Sequence, residues 1–410
     1  MGRIRSLTII LDSTHPVYRC GEYVKGKVVT NLKEPCQLEL VKVVLIGKAK
    51  VWWQQAGSVR TSRHFGEEKL YVNLRQELWG GQFASQKLPG GDAVMRFKFK
   101  LPQSHLPTSF EAKFGFIRYY VEATVNPGPQ SMNKICRKVF TIIDDIDVNA
   151  PCYLSPSTET KGLQIGCCWV CKSQFTATFE INRKAYCPGE YVRFSAEINN
   201  RSPDLMEVVV RLYQQTTLTD CTTGSNVRNE HKLCPKTVWK HKLNSVFPFT
   251  TEHWDDVRVR MPMVPPTMSV CPLIKVEYFI ELVVKDECTS ATLPLPVVIA
   301  TIPRRPGEQS EASTSNNNNN VQQPPRPSLR RSRPVRNQGV SEATRLVDPE
   351  ADSPPPYEAP PPSYSQCVFG LNDSDTEMDE SIMNNDDSTY IPMYTYYLED
   401  TNLYVELPDT

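Results

Sequence analysis

The feature that most constrains the fold of this 410-residue chain is an internal repeat. Residues 21–24 (GEYV) recur as residues 189–192, which lie 168 positions later. Residues 96–102 (RFKFKLP) are echoed by 256–262 (DVRVRMP), and 117–125 (IRYYVEATV) by 276–284 (VEYFIELVV). Because all three matches occur in the same order and at nearly the same offset, they predict two copies of one domain.

Each copy is composed of short segments rich in β-branched and aromatic residues, such as 41–53, 114–125, 205–218 and 274–284. Proline- and glycine-containing turns separate these segments, and none of them sustains a 3.6-residue period of helical length. This pattern predicts an all-β chain of two tandem immunoglobulin-type β-sandwiches. We expect domains at 1–147 and 148–302, followed by a tail at 303–410.

The tail has a different composition from the body. Residues 303–364 contain 13 prolines and few large apolar residues, so they are predicted to be disordered. Residues 351–410 hold 13 acidic and no basic side chains, and the last lysine of the chain is Lys285. The body carries most of the compensating positive charge, which favours acidic partners or an anionic membrane face.

Two copies of the motif Pro-Pro-x-Tyr lie close together in this tail. Their residues are Pro354, Pro355 and Tyr357, then Pro361, Pro362 and Tyr364. A proline pair favours the polyproline II conformation, so little backbone freedom is lost when it docks in an aromatic-lined groove. The tyrosine adds buried area and a hydroxyl group. The motifs therefore predict binding to WW domains.

The chain contains no pattern typical of catalysis, of cofactor binding or of nucleic-acid binding. We therefore expect a protein that is not an enzyme and needs no cofactor.

Cys167, Cys168 and Cys171 form a cluster with three readings: part of a zinc site, an acylation site or plain thiols. Gly2 fits a myristoylation pattern, although the same residues also fit the beginning of the first strand.

These features together resemble the arrestin fold, and specifically the alpha-arrestin (arrestin domain-containing) family. The resemblance rests on residues 20–26, on 106–121, on the linker at 147–149, on 182–190 (NRKAYCPGE) and on the paired tail motifs. It implies two β-sandwich domains joined by a short linker. It also implies an adaptor that connects membrane receptors or transporters to WW-domain, HECT-type ubiquitin ligases and promotes their ubiquitination, endocytosis and endosomal sorting.

Two further tail patterns have the Tyr-x-x-apolar form of sorting signals that bind clathrin adaptors. They are Tyr390 with Met393, and Tyr404 with Leu407. The alternative is an acidic, aromatic strip that folds back on the basic body. Cys187 matches a cysteine of thioredoxin-interacting protein, but the cysteine which that protein uses toward thioredoxin has no counterpart here, so thioredoxin binding is not expected.

The sequence thus predicts a cytoplasmic adaptor that is recruited to the plasma membrane and endosomes, with peripheral membrane association. Two alternatives use the same fold without ligase recruitment. One is a cargo-sorting protein of the retromer type, and the other is a regulator that sequesters a signalling or metabolic partner.

Overall fold

The structure is a computed structural model that describes residues 4–56, 62–80, 86–128, 131–165, 173–221, 230–286, 290–305 and 390–397. Within these residues it contains twenty strands and one short helix, α1 (Pro151–Leu154). The strands are β1 (Ile4–Leu11), β2 (Val17–Tyr18), β3 (Tyr23–Leu32), β4 (Cys36–Gln37), β5 (Leu40–Ala56), β6 (Ser62–Trp79), β7 (Lys87–Leu88), β8 (Gly91–Lys100), β9 (Phe110–Ala112), β10 (Gly115–Asn126), β11 (Lys134–Ile142), β12 (Ser157–Ile165), β13 (Ser173–Ile181), β14 (Ala185–Tyr186), β15 (Tyr191–Asn200), β16 (Glu207–Asp220), β17 (Glu230–Lys242), β18 (Thr251–Arg260), β19 (Ile274–Lys285) and β20 (Ser290–Ile299).

The first domain is a sandwich of two sheets. One sheet has the strand order β1-β3-β8, and the other has the order β2-β11-β10-β5-β6 with β9 paired to β10. Side chains alternate between buried and exposed along β3, which is the period-2 pattern of a strand with one face in the core. Strand β10 is instead buried along most of its length, because it lies in the middle of the larger sheet.

The second domain repeats this plan. Its sheets have the orders β12-β13-β15-β18 and β14-β20-β19-β16-β17. In both domains a two-residue strand pairs in parallel with the last long strand, as β2 does with β11 and β14 with β20. Buried aliphatic and aromatic side chains from most of the long strands form one continuous core cluster across both domains.

Two pairs of equivalent residues show that the repeat in the sequence is a repeat in structure. Tyr119 in β10 donates a hydrogen bond to the Pro107 carbonyl at 2.7 Å, and Tyr278 in β19 donates one to the Pro265 carbonyl at 2.7 Å. Both tyrosines are buried. Each therefore anchors the loop that precedes its own central strand, at the same place in its domain.

The domains are joined along a seam between the linker and the end of the second domain. Asp147 forms a parallel bridge with Ile302, and the Val148 amide donates to the Ile302 carbonyl at 3.2 Å. Thr301 adds a hydrogen bond from its hydroxyl to the Asp144 carbonyl at 2.8 Å. The linker is thus paired with the strand end that closes the second sandwich.

Strand β6 of the first domain also contacts the second domain. The Gly66 amide donates to the Asp220 carboxylate at 3.0 Å, and the Tyr71 hydroxyl donates to Cys271 Sγ at 3.2 Å. The predicted fold class, all-β with two tandem sandwiches, is confirmed. The part of that prediction that concerns a disordered tail falls almost entirely outside the described residues.

Candidate functional site

Most of the residues that the sequence singled out lie outside the described part of the chain. This holds for both Pro-Pro-x-Tyr motifs, for the second sorting pattern, for the cysteine cluster and for Gly2. Tyr390 and Met393 of the first sorting pattern are described. They belong to residues 390–397, which we call the docked segment because the structure places it on the body at the domain seam.

The first half of the docked segment contacts the first domain at the end of β11. The Tyr390 hydroxyl donates to the Phe140 carbonyl at 3.0 Å and lies 2.9 Å from Thr141 Oγ1. The Met393 amide donates to the same Thr141 oxygen at 3.1 Å. One threonine hydroxyl can serve both neighbours, since it carries a donor and two acceptor sites. Tyr394 then donates from its hydroxyl to the Ser109 carbonyl at 2.8 Å.

The second half of the docked segment contacts the second domain. The Tyr397 amide donates to the Pro188 carbonyl at 2.9 Å, and the Tyr397 hydroxyl donates to the Thr301 carbonyl at 2.6 Å. The ring is buried in a small cluster that contains Val148 and Cys187. Because Thr301 also binds the linker, Tyr397 connects the segment to the residues that join the two domains.

Gly189 makes this approach possible. Its φ is +96°, a left-handed conformation that favours glycine. A Cβ atom at this position would overlap the carbonyl oxygen of Tyr397. Gly21 has the equivalent place in the first domain, with φ of +81°, but a Cβ atom there would meet only the side chain of Gln103 at an ordinary distance of 3.5 Å. The second glycine thus has a packing role that the first one lacks.

The contacts that hold the docked segment are made by tyrosine hydroxyls and backbone groups. Burial raises the pKa of Tyr390 above its usual range, so this phenol stays protonated and can donate. Sequence reasoning offered a fold-back of the acidic strip as one alternative, on the basis of charge. Residues 390–397 contain no acidic side chain, and the structure places them on the body through hydroxyl and backbone groups. It adds Tyr394 and Tyr397 to the predicted residues, a pair that the close spacing of tyrosines in this segment indicates.

This geometry bears directly on the first sorting pattern. A partner that reads a tyrosine side chain needs its ring and its hydroxyl free, whereas both hydrogen-bonding functions of the Tyr390 hydroxyl are engaged with the body. Tyr390 and Met393 are both partly buried. The pattern is therefore accessible only when the docked segment leaves the seam.

The cysteines within the described ranges form no disulfide bonds: Cys20, Cys36, Cys136, Cys152, Cys187, Cys221, Cys234 and Cys271. Cys187 is completely buried, and this burial raises the pKa of its thiol well above the ordinary value. A thiol needs an accessible, low-pKa environment to act as a nucleophile, so Cys187 has the properties of a structural residue. Among the described residues, no group of His, Cys, Asp and Glu side chains has a metal-binding arrangement.

No helix in the described ranges combines the length and the apolar character needed to cross a lipid bilayer.

The body consists of two β-sandwich domains, and in each of them a buried tyrosine anchors a proline carbonyl. The linker pairs with the end of the second domain, and this arrangement is that of an arrestin-type protein. Two family models match the chain: the arrestin (or S-antigen) N-terminal domain over residues 7–149 and the arrestin (or S-antigen) C-terminal domain over residues 171–304. Together they cover most of the described body. The chain belongs to the arrestin family, and within it to the alpha-arrestins.

Several curated proteins are similar to this chain. Arrestin domain-containing protein 4 of Mus musculus is 29% identical over 312 residues, which cover 74% of this chain and 73% of that protein. Arrestin domain-containing protein 17 of Caenorhabditis elegans is 29% identical over 318 residues, covering 74% and 72%. Thioredoxin-interacting protein of Sus scrofa is 25% identical over 315 residues, covering 76% and 78%. These relationships are consistent with an adaptor role.

Proposed function

We propose that this protein is a non-catalytic adaptor that recruits WW-domain, HECT-type ubiquitin ligases to membrane receptors or transporters. The two tail motifs bind the ligase, and the arrestin body binds the cargo. Ubiquitination of the cargo then promotes its endocytosis and endosomal sorting. In this proposal the protein acts in the cytoplasm and is recruited to the plasma membrane and endosomes, where clathrin adaptors are further partners.

The observation that carries the proposal is the presence of two complete Pro-Pro-x-Tyr motifs on a chain whose body consists of two arrestin domains. The motif provides prolines for the aromatic groove of a WW domain and a tyrosine ring for a neighbouring pocket. A pair of motifs only a few residues apart raises the local concentration of binding sites, so that a released WW domain rebinds quickly.

Binding of a purified tandem WW-domain fragment of a HECT-type ligase to the full chain tests this proposal by calorimetry. The Tyr357→Ala/Tyr364→Ala double variant should weaken binding by roughly two to four orders of magnitude, because the two large rings together contribute roughly 3–6 kcal/mol when they are buried. The tail offers a matched control in Pro324 and Pro325, a proline pair that no tyrosine follows. Pro324→Ala/Pro325→Ala should leave binding unchanged.

Equal binding by the wild-type chain and the double tyrosine variant would contradict the proposal. It would favour the alternative of a sorting or sequestering protein that uses the same fold without a ligase.

A further inference from the structure

A cluster of positive charge lies on the outer face of the sheet β1-β3-β8 in the first domain. Side chains along β3 and β8 alternate between the core and the solvent, so every second residue lies on this outer face. The cations at these positions, which we call the basic face, are Lys25, Lys27, Arg96, Lys98 and Lys100. The three strands contain a single acidic residue, Asp92, and its carboxylate accepts a hydrogen bond from Asn31.

Strand register places the like charges of the basic face directly opposite each other. Lys25 lies opposite Lys98, and Lys27 lies opposite Arg96. Like charges in opposed positions destabilise a sheet. Within the described ranges, no carboxylate forms an ion pair with any residue of the basic face. The arrangement therefore lowers the stability of the sheet, and a benefit other than folding has to account for it.

The second domain shows that the shared fold does not require this charge. The pair equivalent to Lys25 and Lys98 is Arg193 and Arg258, which are register partners on β15 and β18. Asp256 contacts both arginines, with Arg193 Nε at 3.1 Å from Oδ1 and Arg258 Nη2 at 3.0 Å from Oδ2. In this domain a carboxylate on the same face therefore compensates the opposed cations.

The first domain has cations at the positions that provide this compensation. The sequence repeat aligns Arg96 with Asp256 and Lys27 with Ser195. The structure supports this alignment, because the Asp256 amide donates to Ser195 Oγ at 3.3 Å, and Lys27 and Arg96 are register partners. Two copies of one fold thus differ in charge at the same positions, so the excess is a property of the first domain's surface.

An aromatic ring and two aliphatic side chains accompany the cations. The Lys98 Nζ atom lies 4.0 Å from the centre of the Tyr23 ring, and this tyrosine is 44% exposed. Ile10, opposite Lys27, is 43% exposed, and Val94 on β8 is 54% exposed. Lysines whose apolar stems lie beside aliphatic groups and an amphipathic tyrosine suit the interface between water and a lipid bilayer.

We propose that the basic face binds the anionic lipid surface of the cytoplasmic membrane leaflet. The inference rests on the proposed function, which places the protein at membranes, and it names the surface that contacts the lipid. Anionic lipids of that leaflet attract clusters of Lys and Arg. Four of the five cations are lysines, whose ammonium group is a point charge that suits a diffuse layer of headgroups, whereas the planar fork of arginine suits individual carboxylates. This composition favours a lipid surface over an acidic peptide.

Sedimentation of the full chain with phosphatidylcholine vesicles, with and without phosphatidylserine, tests this inference. We expect binding only to the vesicles that contain phosphatidylserine, and it should weaken as the salt concentration rises, because salt screens exposed charges. Lys25→Gln/Lys98→Gln should weaken binding about thirtyfold, since each lysine near an anionic surface contributes about fivefold. The unfolding temperature of this variant should be no lower than that of the wild type, because two opposed like charges are removed.

Arg96→Asp gives the first domain the charge that the second domain has at the equivalent position. It lowers the net charge by as much as the double lysine variant does and should weaken vesicle binding similarly. The matched control is Arg201→Asp, the same change at an exposed arginine of the second domain, and it should bind as the wild type does. The inference is wrong if phosphatidylserine makes no difference, or if the variants of the basic face bind as tightly as Arg201→Asp does.

A peptide with the sequence of residues 371–389, an acidic part of the tail, tests the other kind of occupant. The inference would be overturned if the full chain bound this peptide in a way that Lys25→Gln/Lys98→Gln weakens, and did not bind phosphatidylserine vesicles. The basic face would then take an acidic segment instead of a membrane.

Lipid binding and ligase recruitment can be separated. Tyr357→Ala/Tyr364→Ala should bind the vesicles as the wild type does, and Lys25→Gln/Lys98→Gln should bind the WW-domain fragment as the wild type does. Loss of vesicle binding with intact WW-domain binding, or the reverse, therefore shows which of the two proposals is wrong.

Discussion

Substitution of two equivalent glycines tests whether the docked segment is held at the seam as the structure describes. Gly21 and Gly189 both have positive φ, so alanine at either position costs about 1–2 kcal/mol of backbone strain. Only Gly189→Ala also collides with the carbonyl of Tyr397. The two variants therefore both strain the turn in which the glycine lies, and only Gly189→Ala also affects the docked segment.

The size of the difference follows from the contacts that Tyr397 would lose. These are two hydrogen bonds, to Pro188 and Thr301, and the burial of an aromatic ring. At roughly 1 kcal/mol per hydrogen bond and about 2 kcal/mol for the ring, the loss is ~4 kcal/mol. That free energy corresponds to a change of about a thousandfold in the docking equilibrium.

Hydrogen exchange read by mass spectrometry on peptides that cover residues 390–397 measures this change. The amides of Met393 and Tyr397 are both hydrogen-bonded to the body, so they report docking directly. Gly189→Ala should abolish most of their protection, and Gly21→Ala should preserve it. Equal protection in the two variants would refute the account of the seam.

Three other predictions concern stability and modification. Glu190→Gln should destabilise the second domain by about 3–5 kcal/mol in chemical denaturation, because it removes the carboxylate that pairs with the buried guanidinium of Arg183. The control is Glu22→Gln at the equivalent position of the first domain, which is exposed, and it should cost less than ~1 kcal/mol. Burial raises the pKa of Tyr119 and Tyr278 in the folded state, so their contribution to the free energy of unfolding is fully present below the unfolded pKa of 10.0 and is lost as the pH rises above it. The denaturation midpoint followed by circular dichroism should therefore fall from that pH upward. A midpoint that stays constant would contradict this prediction. Finally, since the last lysine is Lys285, mass spectrometry should find ubiquitin on residues 1–285 or on the cargo, and a modified non-lysine residue in the tail would contradict that expectation.

Much of the fold could be predicted from the sequence because the two copies of the domain share short segments that are similar in sequence. The echo between residues 117–125 and 276–284 corresponds to β10 and β19, and both segments contribute the tyrosine that anchors a proline carbonyl. Predicted segment ends differ from the observed strand ends by a few residues, as for β16, which was expected at 205–218 and spans Glu207–Asp220. Strand ends depend on pairing partners, which a local pattern does not contain.

The sites were harder to predict because they depend on distant parts of the chain. Arg193 on β15 and Arg258 on β18 are an example, because only strand register makes them neighbours. The sequence predicted docking of the tail from its charge, whereas the described contacts of residues 390–397 involve hydroxyl groups and the turn at Gly189. Such complementarity between a tail and a surface has no periodic signal in the sequence.

Recruitment of a ligase in cells tests the central claim most directly. Proximity labelling with the intact chain, compared with the Tyr357→Ala/Tyr364→Ala variant at equal expression, measures which HECT-type ligases approach the protein. We predict that the variant loses these ligases and keeps its membrane cargo. Undiminished labelling of the ligases by the variant would contradict the claim that the two tail motifs connect an arrestin body to ubiquitin transfer.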